Sequence, residues 1–528
     1  MQKLLIAFAM LLTFSSSACA QKNKKVNKPT AVNADSVYVQ QLIDKAKKGD
    51  SEAQNELGGL YYLGNKVKRD YTSALKWWSL AAKNNNVVAI ANMGLCYQTG
   101  HGIKKDSLMA VKLYKQSVKR GNKDFVTERE KAVNKKFNMF DATFLADIYE
   151  RGDVVTKDMK KALKYYTAAS DAGHLESTLK AAKIHEDAKS YPEAFKLYRK
   201  ASSKSMQASF KTGEFLYKGL GTKVDKAQAF SFLKPAALKG STAAQIYIGD
   251  IYFSGDGMDK DVAEALKWYK MAASNNNPAA MWNVGVIYVN GSDNVKSDMD
   301  KGLYWLALAS QAGLKKNFQK KLLAPKNSES NGWAGSDFFT YVKGMALLFG
   351  NGKNVAEAKN CFVALDKKRI SIGTTRLAEC YSDVSWKKAS AKKAMKYIET
   401  SVLQDEPVAC LLMAEKYLKG DGVTADKNKA LGLVEKAASK GYAQALCRLG
   451  DFYAEGKVVN RNLTKAIKYY IEAMNEGYLS PEAAKRLSDC YKQGLGGLTI
   501  DKIMAEKVLK KAIDQNPVIN LLNGLTFE

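Results

Sequence analysis

Apolar side chains along this chain recur at helical spacing, and the recurrence itself repeats. Ala53, Leu57 and Tyr61, like Ala445, Leu449 and Tyr453, fall at i, i+4 and i+8 ahead of a glycine-bearing turn. Beyond the turn, Ala, an aromatic residue and Ala fall at i, i+4 and i+7, as in Ala74, Trp78 and Ala81, Ala162, Tyr166 and Ala169, or Ala265, Tyr269 and Ala272. Each spacing places its three side chains on one helix face and leaves the other face to lysines. The pattern predicts pairs of short amphipathic helices. Ala53 and Ala89, Ala244 and Ala280, and Ala409 and Ala445 each lie 36 residues apart, and Ala483 follows Ala445 by 38. A unit of that length cannot cover its own apolar stripe, so successive units must stack. A small residue follows the Leu of the first helix at Gly58, Gly94, Gly249, Gly285 and Gly450, where it admits a neighbouring helix closely.

The turns read YQTGHGIKKD (97–106), YFSGDGMDKD (252–261) and YLKGDGVTAD (417–426), with a looser YERGDVVTKD (149–158). Glycines followed by lysines could cradle a phosphate. A phosphate loop, however, follows a strand and ends in Gly-Lys-Ser/Thr, whereas here a helical pattern precedes and that ending is missing. The spacing instead predicts a helix stop on glycine, followed by an aspartate that caps the next helix.

With both helices and the turn in register, the consensus A-x-x-x-L-G-x-x-Y-x-x-G-x-G-[VIM]-x-x-D-x-x-x-A-x-x-[WY]-x-x-x-A-A resembles the Sel-one-like repeat, a relative of the tetratricopeptide repeat. Good copies cover about 53–122, 141–174, 209–314 and 409–516, with degenerate units between them. The resemblance implies an all-α, right-handed α-α solenoid that scaffolds protein complexes. The expected organisation is a signal at 1–20, a disordered tether at 21–34 and an N-terminal solenoid block at 35–316. An irregular, Ser/Asn/Gly-rich connector at 317–340, a C-terminal block at 341–516 and a tail at 517–528 follow.

Lys3, the apolar run Leu4–Phe14 and SSSACAQKNKK have the layout of a secretory signal. Ala18 and Ala20 form an A-x-A cleavage site. Ser16-Ser17-Ala18-Cys19 also resembles a lipobox, in which case Cys19 carries lipid and anchors the chain to a membrane. Both routes lead to export, as a periplasmic protein or a lipoprotein of a bacterial envelope. Export raises the question of disulfides. Cys96, Cys380 and Cys490 stand directly before the first-helix Tyr, in the slot that Leu60, Ile251, Ile287 and Phe452 fill elsewhere, so they read as small buried hydrophobes. Some relatives staple the two helices of a repeat by a disulfide. That needs a cysteine on each helix, and only Cys361 is expected on a second helix, so no disulfide framework is expected.

The catalytic inventory is thin. The three histidines are His101 in a turn, where a solvated side chain is expected, His174 after the second-helix glycine, where other repeats place Asn122 or Tyr442, and His185 in a degenerate unit. None belongs to H-E-x-x-H, and G-x-S-x-G and C-x-x-C are missing. Asp256, Asp259 and Asp261 lack the ligand spacing of a calcium loop. No enzyme, cofactor or metal site is expected, although a β-lactamase-like or cell-wall-acting role has been attached to some relatives.

Charge changes the picture last. The 82 Lys and Arg against 53 Asp and Glu give a net charge of +29. The excess is mostly paired lysines such as Lys104-Lys105 and Lys392-Lys393, without the arginine-aromatic clusters that stack bases. A solubilised outer face is the expectation, and the rival is a polyanion site on the basic surface for an envelope polymer or nucleic acid, of which nucleic acid is the less expected partner. Against this background the residue after the first-helix small residue is acidic in seven repeats: Asp147, Glu214, Asp250, Glu379, Glu415, Asp451 and Asp489. In the tetratricopeptide architecture that position lines the concave face. The stripe is therefore a candidate partner-protein site for a basic or amide-rich segment, unless each carboxylate pairs with a cation of its own chain.

Overall fold

The computed structural model describes residues 34–324, 332–512 and 517–523, with Leu525 and Phe527. The expected signal segment, Cys19 and the tether up to Asn33 lie outside them. The described residues form helix pairs with short turns, and none of their helices is long and apolar enough to cross a membrane. The described residues divide into two compact units, one ending at Ala208 and the other beginning at Ser209. Each is a stack of helix-turn-helix repeats in which a helix packs on its own partner and on the next repeat.

The repeating turn has one construction. The first helix ends on a glycine in the left-handed region, such as Gly64 (φ 69°) or Gly255 (φ 75°). An aspartate then accepts from backbone N–H groups of the second helix, as Asp106 does from Met109 and Asp261 from Glu264. The N–H of that same aspartate donates back to the first-helix tyrosine carbonyl, Asp106 to Tyr97 and Asp261 to Tyr252, both at 2.9 Å. These bonds satisfy the end groups of both helices, which accounts for the fixed Gly and Asp of the turn.

The small residue of the first helix is set by contact. A Cβ on Gly249 would lie 2.6 Å from Tyr269 Cε1, one on Gly94 2.6 Å from Tyr114 Cε1, and one on Gly58 2.5 Å from Trp78 Cδ1. The close neighbour is thus the aromatic residue of the second helix in the same repeat. Those rings are fully or almost fully buried and fill the space between the alanines. The six described cysteines are free thiols, five of them buried. Burial pushes the Cys96, Cys380 and Cys447 thiols up to about 12.

Two expectations differ from the structure. The segment 317–340 is helical at both ends, in Lys315–Leu323 and Asp337–Phe349. It does not separate the compact units, because Phe318, Leu322 and Trp333 share one core with Leu306, Phe338 and Tyr341. Leu521 and Leu522 of the short helix Pro517–Leu522 join that core, which fixes the start of the tail. His101 is not simply solvated. Its ring stacks on Tyr71 at 4.2 Å and its Nδ1 lies 2.8 Å from the Tyr62 hydroxyl, so it joins neighbouring repeats of the first unit.

Within the second unit the helix Met299–Ala309 meets residues far along the chain. Tyr304 donates to Gly477 O (3.0 Å) and Lys301 to Lys440 O (2.6 Å), and from the helix Val262–Ala273 Lys270 pairs with Glu476 (2.5 Å). At the N-terminal end of Met299–Ala309, Asp300 pairs with buried Arg376 and accepts from Tyr341 (2.6 Å). Arg376 also holds Glu379 with two bonds of 2.7–2.8 Å.

Candidate functional site

Each of the seven carboxylates expected to form an acidic stripe stands on a first helix, yet each also has a partner in its own chain. Asp147, in the first unit, takes Lys115 (2.9 Å) and Arg151 (2.7 Å). The other six belong to the second unit. Glu214 takes Lys211 (2.9 Å), Lys218 (2.7 Å) and the Tyr247 hydroxyl (3.1 Å). Asp250 accepts from Tyr269 (2.6 Å) and Tyr217 (3.3 Å), and Glu379 is held by Arg376. Glu415 pairs with Arg448 (2.8 Å). Asp451 accepts from Tyr470 (2.8 Å) and Arg486 (2.7 Å), while Asp489 has only Lys492 at 3.6 Å.

A second column, unread in the sequence, explains several of these pairs. Tyr247, Arg448 and Arg486 each stand three residues before an acidic position of their own repeat, and each reaches the acidic residue of the preceding repeat. Arg376 and Lys211 occupy the same −3 position and pair within their own helix. Basic or hydroxyl-bearing residues at −3 were the available signal. The second-helix tyrosine adds a further donor 19 residues on, as Tyr269 to Asp250 and Tyr470 to Asp451. The arrangement is a polar ladder that binds repeat to repeat.

Electrostatics sorts the carboxylates. Burial pushes Asp250 above its ordinary range, against the hydroxyls of Tyr269 and Tyr217. Asp451 is pushed up by burial likewise, against Tyr470 and Arg486. Glu214 moves the other way: burial raises it, but the bonds from Lys218 and Lys211 outweigh that and lower it. Glu415 and Asp489 are the most open of the seven, with 39% and 45% of the side chain exposed.

Two grooves run along first helices. One in the first unit, about 390 Å³, is lined by Phe140, Thr143, Phe144 and Asp147, with Tyr166 and Lys180 at its side. The other, in the second unit and about 360 Å³, brings together Glu379 and Glu415 over a floor of Leu348, Phe349, Ala378 and Leu412. Neither groove holds Glu214, Asp250, Asp451 or Asp489. An apolar floor with a carboxylate at its edge can take an apolar side chain beside a cation or an amide.

The remaining singled-out residues have structural tasks. His174 caps the helix Leu175–Asp187, its Nδ1 accepting from the Ser177 N–H at 3.3 Å. Burial raises the pKa of each of the six described thiols, which favours their protonated form.

The Sel1 repeat family profile matches residues 51–86, 87–122, 142–174, 188–206, 207–241, 242–277, 278–314, 407–442, 443–478 and 481–517. Among solved structures, a protective antigen of uropathogenic Escherichia coli displaying an SLR fold is 21% identical, over 93% of this chain and 98% of that one, with a TM-score of 0.34. A Sel1 repeat protein from Oxalobacter formigenes is 19% identical over 85% of this chain and 99% of its own, with a TM-score of 0.30. Yeast Tom70 is 15% identical over 88% and 94%, with a TM-score of 0.21. No curated protein matches.

Proposed function

The chain belongs to the Sel1-repeat family, whose helical solenoid is commonly used for protein–protein interaction and is generally non-catalytic. On that premise we propose that it is an exported, non-catalytic scaffold of a bacterial cell envelope, which binds partner protein through grooves lined by its first helices. The observation that carries this reading is the 360 Å³ groove of the second unit, where Leu348, Phe349 and Leu412 form an apolar floor beside Glu415. Of the four carboxylates lining it, Arg376 takes both oxygens of Glu379, Asp383 pairs with Lys353 and Asp421 with Lys416, whereas Glu415 spends only Oε1 on Arg448 and keeps an oxygen for a partner. Such a groove suits an extended segment that sets an apolar side chain on the floor and a cation or amide at the rim. The N-terminal apolar run, with its A-x-A site and Cys19, supports export by either route. Capture from envelope extracts by parent and Leu412→Arg proteins tests the groove. Loss of the captured partner with an unchanged circular dichroism spectrum is expected, and full capture by the folded variant removes the groove from the account.

A second reading, binding of an anionic polymer, rests on a separate observation. Lys387, Lys388, Lys392 and Lys396 are exposed around the start of the helix Ala391–Leu403 and make no ion pair among the described residues. Retention on heparin with a steep log–log salt slope favours it, and passage through the column at physiological salt removes it.

A further inference from the structure

The last full turn of the second unit carries exposed aliphatic side chains at two positions of the repeat. Directly before the capping residue, five other repeats carry Arg69, Lys105, Lys157, Lys260 and Arg461, while Val224 and here Ile500 are aliphatic. Two positions past the cap, other repeats carry polar residues such as Thr72, Lys160, Lys392, Asn428 and Thr464 or the small Ala227, Ala263 and Ala356; here it is Ile503, a large aliphatic residue matched by Leu108. Ile500 touches the turn at Gly494, yet both isoleucines remain mostly open to solvent. Ile500 is 66% exposed and Ile503 82%, and Leu495 on the same glycine-bearing turn is 40% exposed. Burial in the helix Lys502–Leu509 falls instead on Ala505 and Val508.

Charge surrounds this tip. Lys502 adjoins Ile503 in the chain, and Lys507 and Lys510 follow Ile503 at i+4 and i+7, on the same side of the helix. None of these three lysines makes an ion pair among the described residues. Glu506 and Asp501 are the acids at this tip, Asp501 accepting from the Met504 N–H at 2.8 Å, so the three lysines leave it net positive. Aliphatic side chains that stand out from a turn, rather than line a depression, cannot receive a partner's side chain. They can enter a soft apolar layer.

We propose that this tip, Leu495, Ile500 and Ile503 with Lys502, Lys507 and Lys510, docks on the surface of an anionic lipid bilayer. The aliphatic residues enter the boundary between headgroups and acyl chains, while the lysines meet the lipid phosphates. The contact is peripheral and independent of the groove assigned to partner protein. It is also independent of any lipid on Cys19.

Flotation of the full chain with vesicles, carrying Cys19→Ser in every arm so that a lipid anchor cannot contribute, tests this. The set is phosphatidylcholine alone, phosphatidylcholine with 30% phosphatidylglycerol, the same mixture with Ile500→Glu/Ile503→Glu, and with Lys502→Glu/Lys507→Glu/Lys510→Glu. The expected result is binding to the anionic vesicles, weakened at least about a hundredfold by the triple lysine change, since each lysine near such a surface is worth about a fivefold change. The double isoleucine change is expected to weaken binding by about tenfold or more. Both isoleucines are exposed, so circular dichroism and the thermal midpoint should not move. Binding to anionic vesicles that the isoleucine changes leave intact overturns the proposal, because the chain's general positive charge then suffices. Equal binding to neutral vesicles, or none to anionic ones, overturns it as well.

Discussion

Gly249→Ala separates contact from conformation as the reason for the repeat's fixed glycine, because the two explanations give opposite signs. In a helix interior, alanine is favoured over glycine by about 1 kcal/mol, so a glycine with no other task should be improved by the change. At Gly249 the new Cβ would sit 2.6, 2.8 and 3.1 Å from Cε1, Cδ1 and Cζ of Tyr269. Ordinary carbon contacts are about 3.5–4.0 Å, so the ring must move by about 1 Å. It has nowhere easy to go, being 2% exposed and tied through its hydroxyl to Asp250 at 2.6 Å. Overpacking costs about 1–3 kcal/mol, and weakening the hydroxyl bond adds about 1 kcal/mol. Less the helix gain, the net is about 2 kcal/mol of local destabilisation. Gly432, in the helix Lys427–Ser439, has nothing within 4 Å of its Cβ position, so Gly432→Ala should stabilise its repeat by up to about 1 kcal/mol. Since a solenoid need not unfold in one step, the readout is native-state hydrogen exchange. Amides of 242–273 should exchange about thirtyfold faster in Gly249→Ala, and those of 427–439 more slowly in Gly432→Ala. A Gly249→Ala protein as protected as the parent refutes the packing argument.

Three further outcomes follow from the polar ladder. Asp250→Asn keeps an acceptor for the tyrosine hydroxyls and removes a charge that burial disfavours, so at pH 7 urea denaturation should find it as stable as the parent or more so. Because the Asp250 pKa is raised in the folded state, its ionisation costs stability as pH rises from the unfolded value through the folded one, and the advantage of Asn should vanish in acid. Glu214→Gln should do the reverse: its lowered pKa contributes stability above the unfolded value, so the variant is weaker at pH 7 and matches the parent once pH falls below the folded pKa. Arg376→Ala leaves Asp300 and Glu379 without their shared cation and should cost about 3–5 kcal/mol by chemical denaturation, partly restored by adding Glu379→Gln.

The fold was legible because its determinants are local and recur. Helix spacing, the glycine stop, the aspartate cap and the alanine-aromatic-alanine face all lie within one period, and each copy reinforces the reading. The acidic column was equally visible in register. Its complement was not, because Arg448 meets Glu415 and Arg486 meets Asp451 across a repeat boundary, 33 and 35 residues apart, and a column read alone hides its counter-column. Irregular composition at 317–340 suggested a break, but composition carries no record of Phe318, Leu322 and Trp333 packing into a core shared with Leu306 and Phe338. His101 misled for a similar reason: its slot is a turn, yet Tyr62 and Tyr71 from the preceding repeat close over it.

Whether the first-helix grooves are where a partner sits is tested most directly by site-specific photocrosslinking in envelope extracts. One probe replaces Phe349, on the floor of the 360 Å³ groove, and another replaces exposed Lys392 on a second helix. A discrete crosslinked adduct from position 349, with none from 392, is the predicted result. Adducts confined to 392, or none at 349 in a folded protein, would contradict the account.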